Sequence, residues 1–261
     1  MNTMDLFRLD GKVALVTGGA GIYGTHISDA LAEAGATVVI AARTLEKCEA
    51  KAQELRDAGL KADAARLDQT DEHSVLALKD HIWEKYARLD TFINNSVARV
   101  PNCPPFQDMT EQQWEDVMRV NSTGVFLMCR TFGWAMHEQG WGSIVNIASI
   151  YGVVGPQFAI YGNTGMVNPA DYAFSKGGIV NLTRYLATYF APKVRVNSIS
   201  PGGYGTSDHQ TEFSRNYCER TPLGRLAGPD DIKGPIVFLA SDASQYVTGA
   251  NLMVDGGWTA W

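Results

Sequence analysis

The chain has 261 residues, 45% hydrophobic and 19% charged, a balance that suits one globular α/β unit and shows no composition shift of the kind that marks a linker or a disordered tract. Its net charge of −6, a sequence pI near 5.4 and scattered basic residues exclude a sequence-independent nucleic-acid surface, which needs clustered Lys and Arg. Cys48, Cys103, Cys129 and Cys218 form no Cys-x-x-Cys pair and lack His at ligand spacing, so neither a disulfide framework nor a metal site is expected.

The opening Met1-Asn2-Thr3-Met4-Asp5 has no basic region followed by an apolar core, and no apolar run nears the roughly 20 residues of a membrane helix. A cytoplasmic protein with reduced thiols and no membrane partner is the resulting expectation. Strand-like and helix-like segments then alternate, the pattern of a parallel sheet covered by helices on both faces. Residues 13–17 read as a strand, 22–34 as a helix closed by Gly35, and 37–42 as the next strand, one βαβ unit of about 30 residues. Further strands are expected at 62–67, 91–94, 142–148, 194–199 and 251–254, seven in all. The unbroken apolar runs Val13-Ala14-Leu15-Val16 and Val38-Val39-Ile40 point to strands buried on both faces, hence a Rossmann-type, doubly wound fold over 1–261. Two stretches, at about 152–169 and about 203–220, read as substrate loops, the first rich in Gly, Pro, Asn and aromatics without a helical period.

Between the first strand and helix lies Thr17-Gly18-Gly19-Ala20-Gly21-Ile22-Tyr23-Gly24. A strand ending in a glycine-rich turn that opens a helix brings backbone N–H groups and the positive helix end to one point, where a dinucleotide pyrophosphate can sit against Gly18, Gly21, Ile22, Tyr23 and Gly24. Later, Tyr172-Ala173-Phe174-Ser175-Lys176 sets a phenol and an ammonium four residues apart, on one face of a helix. Tyr189 and Lys193 share that spacing, but Pro192 breaks the helical path between them. Ser149 ends the strand that runs through Ser143-Ile144-Val145-Asn146-Ile147-Ala148, at the edge where doubly wound folds present their ligands.

The glycine turn, Asn121-Ser122-Thr123-Gly124, Ser149, Tyr172 with Lys176, Pro201-Gly202 and Val254-Asp255-Gly256-Gly257, in that order along nearly the whole chain, resemble the short-chain dehydrogenase/reductase family. The resemblance implies that Tyr172 exchanges a proton with the substrate oxygen while hydride moves to or from a nicotinamide ring. It implies that Lys176 favours the phenolate and holds the nicotinamide ribose, that Ser149 orients the reacting oxygen, and that Asn121 anchors a water in the proton path. Asn121 has a second reading, as a residue that bends or caps a helix. The resemblance also makes Asp68 an adenine contact, Asn95 a strand-end contact, and Pro201, Gly202 and Thr206 contacts to the nicotinamide half. Homo-oligomers, dimer or tetramer, through helices near 110–137 and 172–191 are a further implication.

The chain departs from the family pattern in three places. Asn94-Asn95-Ser96-Val97 replaces Asn-Asn-Ala-Gly, and Ser149 and Tyr172 lie about ten positions farther apart than is usual. Tyr161 stands at the usual distance but has Gly165 where the lysine belongs. The glycines at 18, 21 and 24 follow the spacing of the longer, epimerase-like branch, in which the shorter branch would place glycine at Ile22. The second strand ends in Ala42 and Arg43, with no acid for the ribose hydroxyls, so NADP is favoured over NAD. Arg99, Tyr151, Gln157, Tyr161, Asn163, Tyr204 and His209 are candidate substrate contacts, and such groups suit a sugar, polyol or sugar acid. The expected activity is an NAD(P)-dependent oxidoreductase acting on a secondary alcohol or ketone. A nucleotide-sugar epimerase and a non-catalytic cofactor-sensing protein stand as alternatives.

Overall fold

Strands made of Val, Ile, Leu and Ala without polar interruption are stable only where both faces of a sheet are covered. In the computed structural model, which describes residues 2–100, 103–205 and 211–261, this condition is met. Strand β1 (Val13–Thr17) is buried at every position. It is followed by α1 (Ile22–Glu33), β2 (Thr37–Ala42), α2 (Leu45–Asp57), β3 (Ala62–Arg66), α3 (Glu72–Tyr86) and β4 (Thr91–Asn94). The second half comprises α4 (Glu111–Met118), α5 (Val125–Gln139), β5 (Gly142–Ile147), α6 (Ala170–Tyr189), β6 (Val194–Pro201), α7 (Glu212–Arg220), α8 (Lys233–Ala240) and β7 (Asn251–Val254).

The strands pair in parallel in the order β3-β2-β1-β4-β5-β6-β7. One face carries α3, α5 and α6 around Phe92, Phe132 and Met128, and the other carries α1, α2 and α8 around Ile27, Leu31 and Ile236. Because β1 pairs with β2 on one side and β4 on the other, the winding reverses there and a crevice opens at the C-terminal ends of β1 and β4. Among the described residues no helix is long and apolar enough to cross a membrane.

The structure departs from sequence expectation at element ends. Helix α1 stops at Glu33, with Ala34 as its cap and Gly35 in the left-handed region at φ +108°. Strands β3 and β5 each end one residue early, at Arg66 and Ile147, whereas β6 runs on to Pro201 because β7 pairs with Ser198 through Pro201. The stretch at 203–220 is not one loop. Thr211 accepts the Ser214 N–H and starts α7, which fills its second half. The 152–169 segment is irregular apart from a tight turn at Phe158–Tyr161.

Candidate active site

The chemistry is built on the C-terminal edge of the sheet. Gly18 leaves β1 in the left-handed region at φ +61°, and Gly21 N–H donates to Gly18 O at 2.9 Å. Gly24 packs so closely beneath that a Cβ there would lie 1.9 Å from Gly18 O. Gly21 caps α1 without a side-chain hydrogen bond, and the first turn holds no acid. The opening N–H groups of α1 therefore point to an anion, and a diphosphate fits this cradle. Ile22, at the first helical position, is 69% exposed beside it.

Asn95 fastens this turn to β4. Its Nδ2 donates to Thr17 O at 3.1 Å and Gly18 O at 3.2 Å, while Asn95 and Ser96 N–H donate to Thr17 Oγ1 at 3.0 and 3.1 Å. Tyr23 spans the crevice, donating from its hydroxyl to Gly202 O at 3.0 Å. Arg43 is exposed just past β2. Past β3, Thr70 donates from its hydroxyl and N–H to Asp68 Oδ1 at 2.7 and 3.0 Å. That hydroxyl, with smaller help from the Arg43 and Arg66 charges, holds the Asp68 carboxyl below its usual range.

Tyr172 and Lys176 share one face in the first half of α6, with Lys176 Nζ 5.6 Å from the phenol ring centroid. Lys176 is buried and donates to Ile147 O, at the end of β5, at 2.6 Å. Burial, and then the nearby Arg99 charge, lowers its ammonium to about 7. The Arg99 guanidinium carbon lies 5.4 Å from the same ring centroid, so two basic side chains approach the ring. Buried Ser149 follows β5 and its Oγ accepts the Tyr151 N–H at 3.2 Å.

Asn121 lies in a π-helical turn, Arg119–Gly124, between α4 and α5. Its Oδ1 accepts the Ala98 N–H at 2.8 Å and its Nδ2 donates to Ala98 O at 3.0 Å. The side chain thus ties the helix bend to the segment that carries Arg99.

The remaining candidates scatter. Tyr151 and Tyr161 hydroxyls meet at 3.4 Å, and burial drives the Tyr151 phenol far above its usual range. Tyr161 is buried and stacked on Phe213 of α7 at 5.6 Å. Exposed Gln157 accepts from Arg220 at 2.6 Å, and the N–H of exposed Asn163 donates to Glu212 at 3.1 Å, so both serve contacts to α7. Tyr204 does not join the 152–169 segment: its hydroxyl meets His26 of α1 at 2.9 Å and its ring lies 5.2 Å from that of Tyr23. Pro201 ends β6, and Gly202 N–H donates to Val254 O at 2.9 Å. Thr206 and His209 lie outside the described residues.

Sequence reasoning missed two features. The placement of Arg99 on the Tyr172 ring depends on loop packing and leaves no periodic trace. Asp171, directly before Tyr172, is fully buried with neither carboxylate oxygen hydrogen-bonded among the described residues, and burial raises its carboxyl. Its adjacency to Tyr172 was the available signal. A cavity of about 440 Å³ lies off this centre, at the ends of β6 and β7, lined by Tyr217, Leu223, Arg225, Asp231 and Asp255.

A family model described as enoyl-(acyl carrier protein) reductase matches residues 18–259. The chain is 38% identical over 253 residues to a cis-4-hydroxycyclohexanecarboxylate dehydrogenase from Sinomonas cyclohexanicum, covering 95% of this chain and 97% of the relative. A galactitol 2-dehydrogenase (L-tagatose-forming) from Cereibacter sphaeroides is 37% identical over 272 residues, covering 100% of both. Among solved structures, a gluconate 5-dehydrogenase from Burkholderia cenocepacia J2315 in complex with NADP and tartrate superposes with a TM-score of 0.86 at 33% identity, covering 100% of both chains. A short-chain dehydrogenase from Leptospira borgpetersenii with bound NAD+ gives 0.85 at 34% identity, covering 99% of this chain and 96% of that one.

Proposed function

The chain belongs to the short-chain dehydrogenase/reductase family and is an NAD(P)-dependent oxidoreductase acting on CH–OH groups, and we propose that it interconverts a secondary alcohol and a ketone in a small, polar, hydroxylated substrate. The observation that carries this reading is the Tyr172 phenol, which shares a helix face with Lys176, whose Nζ lies 5.6 Å from the ring centroid and donates to Ile147 O at the end of β5. The nicotinamide cofactor, when bound, supplies the hydride acceptor for oxidation or the donor for reduction.

The rest of the work falls to side chains. In oxidation the substrate hydroxyl gives its proton to the Tyr172 oxygen as hydride leaves the carbinol carbon, and reduction reverses both transfers. Lys176, on the same face of α6, favours negative charge on that oxygen. Buried Ser149 supplies a hydroxyl that fixes the reacting oxygen, and Lys176 holds the cofactor ribose. Asn121 acts through structure, holding the backbone of Ala98 with its side chain, and the anchoring of a water in the proton path is the role the family resemblance gives it. The α1 cradle takes the pyrophosphate.

Arg43 supports NADP over NAD, since it stands exposed just past β2 where an acid would select the free ribose. Polyols, aldoses and sugar acids, each assayed with NADP and with NAD at equal concentration by nicotinamide absorbance, test both parts of the proposal. Turnover of a hydroxylated substrate with more efficient NADP use is expected. A strong advantage for NAD would sink the Arg43 argument, and turnover confined to simple apolar alcohols would sink the substrate reading. Net NADPH formation, one per substrate, separates this activity from epimerisation.

A further inference from the structure

A guanidinium rarely stays exposed beside a reacting group without a counter-charge unless something else completes it. Arg99 is exposed and, among the described residues, has no carboxylate within ion-pair distance. Yet it is not a random surface cation. Its guanidinium lies 5.4 Å from the Tyr172 ring centroid, and Asn121 pins the preceding residue, Ala98, through both its N–H and its C=O. The backbone entering Arg99 is thus held in place, which leaves only the side chain's own rotamers to be fixed when a ligand binds. The chain as a whole carries a net charge of −6, but Arg99 and Lys176 make this spot positive, and the nearby Asp171 carboxyl is fully buried, turned away from solvent.

Resting on the dehydrogenase reading above, we infer that Arg99 is a specificity-determining residue that selects substrates bearing a carboxylate a few bonds from the reacting carbinol, so that the preferred substrate is a hydroxy acid rather than a neutral polyol. The planar fork takes a carboxylate through two parallel N–H···O bonds, which fixes orientation as well as affinity. With the guanidinium carbon 5.4 Å from the phenol ring centroid, a carboxylate held by the fork lies within a few bonds of Tyr172. A phosphate ester offers the same fork two oxygens but is bulkier and more highly charged, and it would crowd a fork placed so near the ring.

The test measures kcat/KM with NADP for gluconate, for sorbitol, in which a hydroxymethyl group replaces the carboxylate, and for sorbitol 6-phosphate. The same comparison uses cis-4-hydroxycyclohexanecarboxylate and its amide, in the wild type, Arg99→Lys and Arg99→Met. The expected wild-type preference for carboxylate over its neutral partner is roughly 10- to 100-fold in at least one pair. Arg99→Met should bring that ratio close to one, mainly through KM, and Arg99→Lys should keep part of it. A wild-type preference for the neutral partner, or an equal loss on both partners in Arg99→Met, overturns the inference while leaving the dehydrogenase standing. A preference for the phosphate ester overturns the choice of carboxylate. If none of these compounds nor any other alcohol is oxidised, the dehydrogenase reading falls first.

Discussion

Lys176 is asked to be buried and to be charged, and water-free surroundings oppose the second demand. Its ammonium is lowered to about 7 in the folded chain from an ordinary 10.5, first by burial and then by Arg99. Between those two values the unfolded chain keeps a proton that the folded chain has released, so this residue makes stability rise as pH increases from about 7 toward 10.5. Below about 7 both states are protonated and the full cost of the buried charge is present. Lys176→Met should therefore be relatively more stable than the wild type at pH 6, with the advantage shrinking by pH 9 when both are unfolded in urea without cofactor. A constant difference across that range would contradict the lowered ammonium. Asp171 runs the opposite way. Its carboxyl is raised by burial, so the unfolded chain loses the proton first and stability falls as pH climbs from 3.8 through the folded value. Asp171→Asn keeps the shape without the charge, and should gain about 1–3 kcal/mol at pH 7 but little at pH 4 in the same urea titrations. Such a gain would mark Asp171 as a residue carried at a cost to stability beside the Tyr172 phenol.

At the scale of elements, the π-helical turn Arg119–Gly124 is the joint through which helix packing reaches the site. Asn121→Ala would strand both the N–H and the C=O of Ala98, a loss of about 1–3 kcal/mol in stability by urea unfolding, together with a larger KM for substrate than for NADP. Equal effects on both KM values would show that the turn supports the fold generally and not the Arg99 segment. This joint also shows what a sequence conveys. The pairing of Tyr172 with Lys176 was legible because it depends on helical periodicity alone, and Pro192 ruled out Tyr189 with Lys193 for the same local reason. The β1 turn and the seven strands were legible because buried parallel strands and glycine turns leave unbroken local patterns. Helix α7 was obscured by its charged, weakly apolar sequence, although Thr211 followed by Ser214 is a cap signal. Tyr204 and Arg99 were not placeable at all, since one is set by His26 and the other by the bend at Asn121, both contacts between segments distant in sequence.

For the whole molecule, the two sheet faces are covered but the outer side of α5 and α6 is not. Phe126 and Trp134 on α5 and Phe174, Tyr185 and Tyr189 on α6 are each about half exposed or more, far more aromatic surface than a monomer usually leaves to water. Intrachain contacts cover these rings only in part: Phe174 lies 5.4 Å from Trp114, Tyr185 stacks on Tyr189 at 5.9 Å, and Trp134 stacks on His137 at 5.3 Å. A second copy that brings the same helices would bury them on both sides of a two-fold axis, as a self-complementary patch allows. Light scattering should therefore give at least twice the 28.4 kDa of one chain, and the pair Trp134→Glu with Tyr185→Glu should shift the mass to that of the monomer. Because Phe174 is two residues from Tyr172 in the same helix, loss of the interface should also lower kcat, with cofactor affinity less affected, since the glycine cradle stands on the far side of β4 and β5 from α6. A monomeric wild type, or a monomeric double variant with undiminished kcat, would separate assembly from catalysis and leave the aromatic face to another partner.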